Sequence, residues 1–343
     1  MKNILDLIDQ KKLLAFVRAL EPDNTNLWSV LFPYLGTDEL KAEYLKGAYN
    51  APVVMTPTAF ESEAEMGSRE GLTKVELELI KFARKMRLNE EEIRKTLQPR
   101  TGTADGDAAV RQVYNDAETL YNAADVTREK MAMDAASTGK VILRDIECDF
   151  GVPADQKVTL TTTAKWDQTD TRDPLKNELD WIDVLVEANR RLPERALTTR
   201  KVLNYLLQDA KYREAYWGKP IGAVDPPVLT NEQFNQVRTD RGLPPIKTYD
   251  RVARVQNEDG TYTTIRLLAQ NKFILLPGGK LGDTLHGIPT EALYNNELTG
   301  SEKQGVYTYN YSEHEPPSVY TKTVMFAFPT FPEAEHVFQA DVF

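Results

Sequence analysis

One cysteine, Cys148, stands in a chain of 343 residues. An intrachain disulfide is therefore impossible, and thiolate metal clusters are excluded with it. Such usage fits a reducing cytoplasm, or a particle that never meets an oxidising compartment. Histidine is nearly as scarce. His286, His314 and His336 are the only three, and none shares the H-x-x-x-H or H-E-x-x-H spacing that sets two imidazoles on one helix face. Basic charge is in deficit too: 42 Lys and Arg against 52 Asp and Glu give a formal charge of −10. That balance runs against a nucleic-acid reader, which needs a phosphate-neutralising face. The opening MKNILDLIDQKKLLAFVRALE has no unbroken apolar run, because Asp6, Asp9, Lys11 and Lys12 divide it. No small-residue cleavage site follows, so it is not a signal peptide. Leu13, Phe16, Val17 and Leu20 fall on one helical face, which predicts an amphipathic helix docked on a protein surface. Its polar face has no basic excess to hold it on a membrane.

Chemistry-bearing motifs are missing as well. Pro277-Gly278-Gly279-Lys280-Leu281-Gly282-Asp283-Thr284 looks like a phosphate loop, but Leu follows the lysine where a Walker motif needs Ser or Thr. It reads as a tight turn, which leaves a cytoplasmic nucleotide-binding enzyme as a remote alternative. Asp105-Gly106-Asp107 lacks the spaced ligands and terminal Glu of a calcium loop. There is no G-x-S-x-G elbow, and His314, beside Pro316 and Pro317, reads as exposed loop. No catalytic, cofactor-binding or metal-ligating residue is assigned, and the chain is not expected to be an enzyme.

What the sequence does hold is length in one element. Residues 107–138 contain no proline or glycine and predict one helix about three times the usual roughly 11–12 residues. Asp107 is its expected N-cap and Gly139 its C′ residue. Val110, Val113, Ala117, Leu120, Ala124, Thr127 and Met131 recur at three and four. Arg111, Asp116, Glu118, Asp125, Arg128, Glu129 and Lys130 exclude a membrane span. The narrow small-residue stripe suits packing along a sheet more than a coiled coil.

Around this spine the pattern is mixed. Strand-like pieces, Pro52 to Thr56 among them, precede Lys74 to Leu88, where Val75, Leu77 and Leu79 alternate with Glu76 and Glu78. The phase then flips to Phe82, Met86 and Leu88, which predicts a twist or bulge near Ile80. Residues 40–88 thus read as a long hairpin with too little apolar surface to fold alone. A short helix, 89–97, precedes the spine. Beyond it, Val141 to Cys148 and Lys157 to Ala164 read as a hairpin turning through Gly151, Pro153 and Asp155. Asp173-Pro174 opens a helix with Leu179, Ile182 and Val186 on one face, and Thr198 or Thr199 caps another carrying Val202, Tyr205 and Leu206. Thr230 and Gln233 make a capping box. Strands are expected at 247–256 and 261–268, at Lys272 to Leu276, at Val319 to Phe328 and at His336 to Phe343.

Several of these residues, in this order, resemble the lambda-type phage major capsid proteins. The stretch Cys148-Asp149-Phe150-Gly151-Val152-Pro153, then Leu160-Thr161, Lys165-Trp166 and Asp173-Pro174-Leu175, is similar to a recurring run of that family. Phe273 to Thr284 and the tail from Pro316-Pro317 through Phe328-Pro329-Thr330-Phe331-Pro332-Glu333-Ala334 extend the resemblance over about residues 30–343. The resemblance implies an α+β fold, the Hong Kong 97-like capsid fold. That fold has an N-terminal arm (1–40), an extended β-hairpin loop and short helix (41–100), a peripheral domain with the spine (101–173), an inserted axial domain (174–310) and closing strands (311–343). It implies a structural protein that self-assembles, as hexamers and pentamers, into an icosahedral shell around double-stranded DNA. The implied partners are copies of itself, scaffolding, portal and decoration proteins, and packaged DNA held without sequence recognition. No cofactor and no membrane are implied, and the expected place is the virion capsid, assembled in the host bacterial cytoplasm. An encapsulin-like compartment shell is the alternative within the same fold. Leu77, Leu79, Phe82 and Met86 are the expected inter-subunit contact.

Overall fold

The computed structural model describes residues 10–20, 25–39, 41–46, 73–97, 104–143, 146–218, 226–294 and 302–343. The strand pieces expected between 47 and 72, Pro52 to Thr56 included, lie outside the described residues. Two compact units emerge. The first holds Met1–Glu43, Glu76–Ala132 and Gly282–Thr330, and the second Tyr44–Val75, Met133–Leu281 and Phe331–Phe343. The longest segment of the second unit runs from 133 to 281. Two pairings fit this division. Val306–His314 pairs along its length with Pro317–Pro329 of the first unit, and Lys157–Thr159 joins a sheet of the second.

The long helix is present as Ala104–Thr138, 35 residues. It begins at Ala104, so Asp107 lies inside the first turn and is not the cap. Its other end is as expected: the Gly139 amide donates to the Ala135 carbonyl at 2.9 Å with φ +70°, the left-handed C′ geometry that favours glycine. Val113, Ala117, Leu120, Ala124 and Met131 of the expected stripe are buried. Thr127 is half-buried and donates its hydroxyl to the Ala123 carbonyl at 2.8 Å, the back-bond open to a mid-helix threonine.

In the first unit, Pro317–Pro329 is the hub of a six-stranded sheet. Val306–His314 pairs with its residues 317–325 and Thr284–Gly287 with 326–329. Ile80–Leu88 pairs antiparallel with 319–327. Each strand has only two hydrogen-bonding edges, so the first two partners follow one another along one edge and Ile80–Leu88 holds the other. The expected hairpin is thus split. Lys41–Lys46 pairs with Thr73–Glu78 in a two-stranded sheet, while Ile80–Leu88 leaves that ribbon and enters the main sheet. The strand break falls at Leu79, where the alternation changed phase. Tyr34–Gly36 closes the far side, parallel to Thr284–Gly287. His314, expected in a loop, is exposed as expected but ends a strand opposite Pro317.

Helix Gln10–Ala19 buries Leu13 and Val17, and Phe16 meets Tyr114 edge-on at 5.0 Å. The apolar face read from the sequence is correct. The protein surface on which it was expected to dock is, at this helix, the chain's own first unit. Asn89 and Glu92 form a reciprocal cap for Glu90–Leu97, the Asn89 amide to Glu92 Oε2 at 2.8 Å and the Glu92 amide to Asn89 Oδ1 at 3.0 Å.

The second unit centres on a sheet ordered Lys157–Thr159, Phe338–Asp341, Lys272–Leu276, Arg195–Thr198, Ile246–Thr248. Over it pack Trp166, Trp181, Phe273 and Phe338, with Trp181 stacked on Phe338 at 5.3 Å and Trp166 edge-on to Phe273 at 5.1 Å. Helix Pro174–Glu187 is capped by Asp173, whose carboxylate accepts from the Lys176 amide at 3.1 Å. Its buried face is Leu175, Glu178, Trp181 and Leu185. Val186, expected inside, is 55 % exposed, because Trp181 has the larger apolar surface to cover and sets the helix's rotation. Thr199 caps Arg200–Leu207, and Thr230 with Gln233 forms the expected capping box on Asn231–Asp240. The hairpin after the spine is tighter than expected: Lys140–Leu143 pairs with Ile146–Asp149. Lys157–Thr159 instead runs parallel to Phe338–Asp341.

Candidate functional site

The residues expected to form a contact between copies all lie in the first unit, but they differ in exposure. Leu77 and Leu79 are 6 % and 5 % exposed, so both are already covered within the chain. Phe82 and Met86 are half-buried. Because strand side chains alternate between faces, Ile80, Phe82, Arg84, Met86 and Leu88 point one way. Across the ladder they meet Ala327, Met325, Thr323, Thr321 and Val319, every one buried. Leu88 and Val319 also pack with Ile93 of the following helix. Phe82 and Met86 therefore extend an apolar sheet face to its margin, half inside and half available.

The opposite face carries Lys81, Ala83, Lys85 and Arg87, all exposed. Lys85 lies 4.4 Å from the Tyr320 ring, and Arg87 Nε donates to Ser318 Oγ at 3.0 Å. Lys81 and Lys322 share Glu291 Oε1 at 2.6 and 3.0 Å. Burial pushes the Glu291 carboxyl upward, but the hydrogen bonds from Lys81, its own backbone and Lys322 prevail and hold it at about 2. Tyr311 and Tyr320 stack at 5.1 Å beside these cations.

Two polar clusters that sequence reasoning missed lie deep inside the units. In the first, Arg128 is 1 % exposed, paired with Asp125 at 3.1 Å and bonded to the Gln304 carbonyl at 2.7 Å, its guanidinium 4.7 Å from the Trp28 ring. Glu129, next along the spine, accepts from the Trp28 amide at 2.7 Å. In the second, Glu178 meets Arg238 at 2.7 Å and takes the Tyr212 hydroxyl at 2.7 Å, both charged side chains being wholly buried. These charges interrupt helical apolar stripes, so periodicity alone assigns them to solvent. The signal that could have found them is position, since Glu178 falls in step with Leu175, Trp181 and Leu185.

The remaining motifs carry structure. Gly279 adopts φ +80° in the turn after Lys272–Leu276, and a Cβ on Gly278 would stand 2.2 Å from the Glu194 carboxylate. The Arg195 side chain donates to the Gly279 carbonyl. No helix opens after the lysine, so the glycines serve a tight turn, as the sequence reading held. His286 is 2 % exposed, and neither ring nitrogen has a hydrogen-bond partner among the described residues. Desolvation, with Arg128 adding repulsion, lowers its pKa to about 2. His336 is buried and accepts from the Arg191 amide at 3.2 Å. Among the described residues no group of three or more His, Cys, Asp or Glu is placed to hold a metal, and no helix is long and apolar enough to cross a membrane.

Comparison with known proteins follows the same direction. A family model described as phage major capsid protein E matches residues 9–342. The curated proteins give no match. The structure is similar to the putative capsid protein of an E. coli CFT073 prophage, with TM-score 0.62 and 16 % identity over 98 % of this chain and 99 % of that one. It is also similar to a phage-related protein from Bordetella bronchiseptica RB50 (0.55, 14 %, 96 % of each). The Cyanophage A-1(L) capsid subunit is a third (0.51, 12 %, 100 % and 98 %). At such identities the likeness of structures speaks for the fold, and the family match for the kinship. The chain belongs to the phage major capsid protein E family and has its Hong Kong 97-like fold.

Proposed function

We propose that this chain is the shell subunit of a tailed phage, assembling from copies of itself into the icosahedral container of double-stranded DNA, with no catalytic site of its own. The observation that carries the reading is the reach of the family match, residues 9–342 of 343. In this reading the first unit is the peripheral domain and the second the axial domain, with residues 1–40 as arm and the paired strands Lys41–Lys46 and Thr73–Glu78 as the stem of the extended loop. Scaffolding, portal and decoration proteins are its partners, and assembly takes place in the host cytoplasm. The acidic balance suits a lining that must not grip the packaged DNA.

Association on a closed surface proceeds through many modest interfaces. The half-buried margin at Phe82 and Met86 supplies part of one. Leu79→Asp would set a charge at a position only 5 % exposed and so disturb folding, so the informative variant is the pair Phe82→Asp and Met86→Asp. Electron micrographs of the expressed chain should show closed particles, and the double variant should stay soluble and unassembled with its circular dichroism unchanged. A wild-type chain that remains a protease-resistant monomer at high concentration overturns the shell reading. Normal particles from the double variant overturn only the contact.

A further inference from the structure

One face of the first unit's main sheet concentrates cations on a chain of net charge −10. The strand registers set Tyr309, Lys322 and Lys85 in one row and Tyr311, Tyr320 and Arg87 in the next. Side chains alternate along each strand, so both rows share a face, and Lys81, opposite Phe326, lies on it at the other end. Lys322 and Lys85 stand directly opposite one another, a pairing of like charges that costs stability. Glu291 lies between Lys81 and Lys322. Glu313, one row beyond Arg87, stands opposite Ser318 at the rim. Neither Lys85 nor Arg87 has a carboxylate partner among the described residues.

The two ends of this face differ in cover. Helix Thr290–Tyr294 lies over one, its Ala292 packed with Tyr307 and Tyr309 and its Glu291 held by the two lysines. That end shows what the cations of the face bind, a carboxylate. The other end repeats the cations without the acid. Lys85 and Arg87 are exposed, yet neither is loose. Lys85 Nζ lies 4.4 Å from the centre of the Tyr320 ring and 3.4 Å from the Tyr311 hydroxyl, and Arg87 Nε donates to Ser318 Oγ at 3.0 Å. Bonding through Nε leaves the terminal N–H groups of the guanidinium for a carboxylate, and side chains already held lose less freedom on binding. Lys85 and Arg87 are about 7 Å apart along the strand, the spacing of carboxylates at alternate positions of an extended chain. We propose that Lys85, Arg87, Tyr311 and Tyr320 form a docking surface for an extended acidic segment of a partner protein, with carboxylates at alternate positions. The charge match supplies selection, and the tyrosine pair, stacked at 5.1 Å, gives the intervening side chains an apolar flank. A nucleic-acid strand fits less well. The rings are already engaged, Tyr311 with Tyr309 and Tyr320, and Tyr320 with Lys85, rather than open to bases. The surface belongs to one unit of one chain, so this inference goes beyond the shell reading and does not stand or fall with it.

Binding of labelled probes to the soluble full-length chain is followed by fluorescence anisotropy. The probe is a capped peptide of alternating Thr and Asp, compared with its Thr and Asn counterpart and with an oligothymidylate of equal length. The acidic peptide should bind about tenfold more tightly than the neutral one, and less tightly as salt is raised. Lys85→Gln/Arg87→Gln should weaken it about tenfold with circular dichroism unchanged. Lys176→Gln/Lys211→Gln, which removes two exposed cations of the second unit, should leave it as it was. Equal binding of the acidic and neutral peptides to the wild-type chain overturns the proposal without any variant. So does undiminished binding by the Lys85 and Arg87 pair. Tighter binding of the oligothymidylate, in competition with the peptide, overturns the choice of partner. A chain that sediments as a dimer, and as a monomer once Lys85→Gln/Arg87→Gln is introduced, assigns the face to a second copy and overturns it as well.

Discussion

Glu178 and Arg238 show what a single residue type conceals. The side chain of Glu178, an acidic residue on a helix, is wholly buried against Arg238 and Tyr212. Burial pushes the Glu178 carboxyl upward against the pull of Arg238. The pairing spans 60 positions, a separation no local pattern reports. Removing one partner of such a pair costs about 3–5 kcal/mol, because the other charge is left alone in the core. Arg238→Met should therefore lower the unfolding free energy measured in urea by that amount, and adding Glu178→Gln should recover much of it. His286 gives a pH dependence with a definite sign. Its folded pKa, about 2, lies below the ordinary 6.5, so below pH 6.5 the unfolded chain takes up a proton that the folded chain refuses. Stability must fall as pH drops from 6.5 toward 2, by up to about 1.4 kcal/mol per unit from this group. His286→Phe should flatten that slope in melting temperatures measured between pH 7 and 5. An unchanged slope would place the acid sensitivity elsewhere.

Elements were legible where their signals are local. The spine, the Asp173 and Thr230 caps, the turn at 257–260 and the break at Leu79 all depend on residues a few positions apart, and the structure has each of them. Strand partners were not, because pairing is settled by distant segments. Ile80–Leu88 was assigned to a hairpin and belongs to a sheet. Val306–His314 was not read as a strand at all, although it pairs over nine residues with Pro317–Pro329. The Phe82 and Met86 half of the candidate contact was legible as an apolar parity; that Leu77 and Leu79 are covered was not, since coverage depends on segments distant in sequence. The C-terminal end of the spine provides the test at this scale. Gly139 combines φ +70° with a site where a Cβ would sit 2.6 Å from Val152 Cγ2. Gly139→Ala should destabilise by about 1–3 kcal/mol, read as a lower melting temperature. A neutral result would mean that the turn relaxes into ordinary backbone.

At the scale of the whole molecule, the order of the chain and the order of the strands disagree. The chain crosses between units at 43/44, 75/76, 132/133, 281/282 and 330/331, and its final segment enters the second sheet. Phe338–Asp341 lies there between Lys157–Thr159 and Lys272–Leu276, with Phe338, Ala340 and Val342 in the core. Ending the chain after Thr330 should therefore cost more than a frayed tail. It should abolish the cooperative unfolding of the second unit, measured by calorimetry, while a soluble product with native melting would refute that architecture.

The placement of Phe338–Asp341 between two earlier strands also imposes a schedule on synthesis. Lys157–Thr159 and Lys272–Leu276 emerge from the ribosome without the strand that separates them, and the sheet stays open until residue 341 has been made. A copy cut short by a nonsense codon or a stalled ribosome is thus barred from the finished form, and the growing lattice is spared defective tiles.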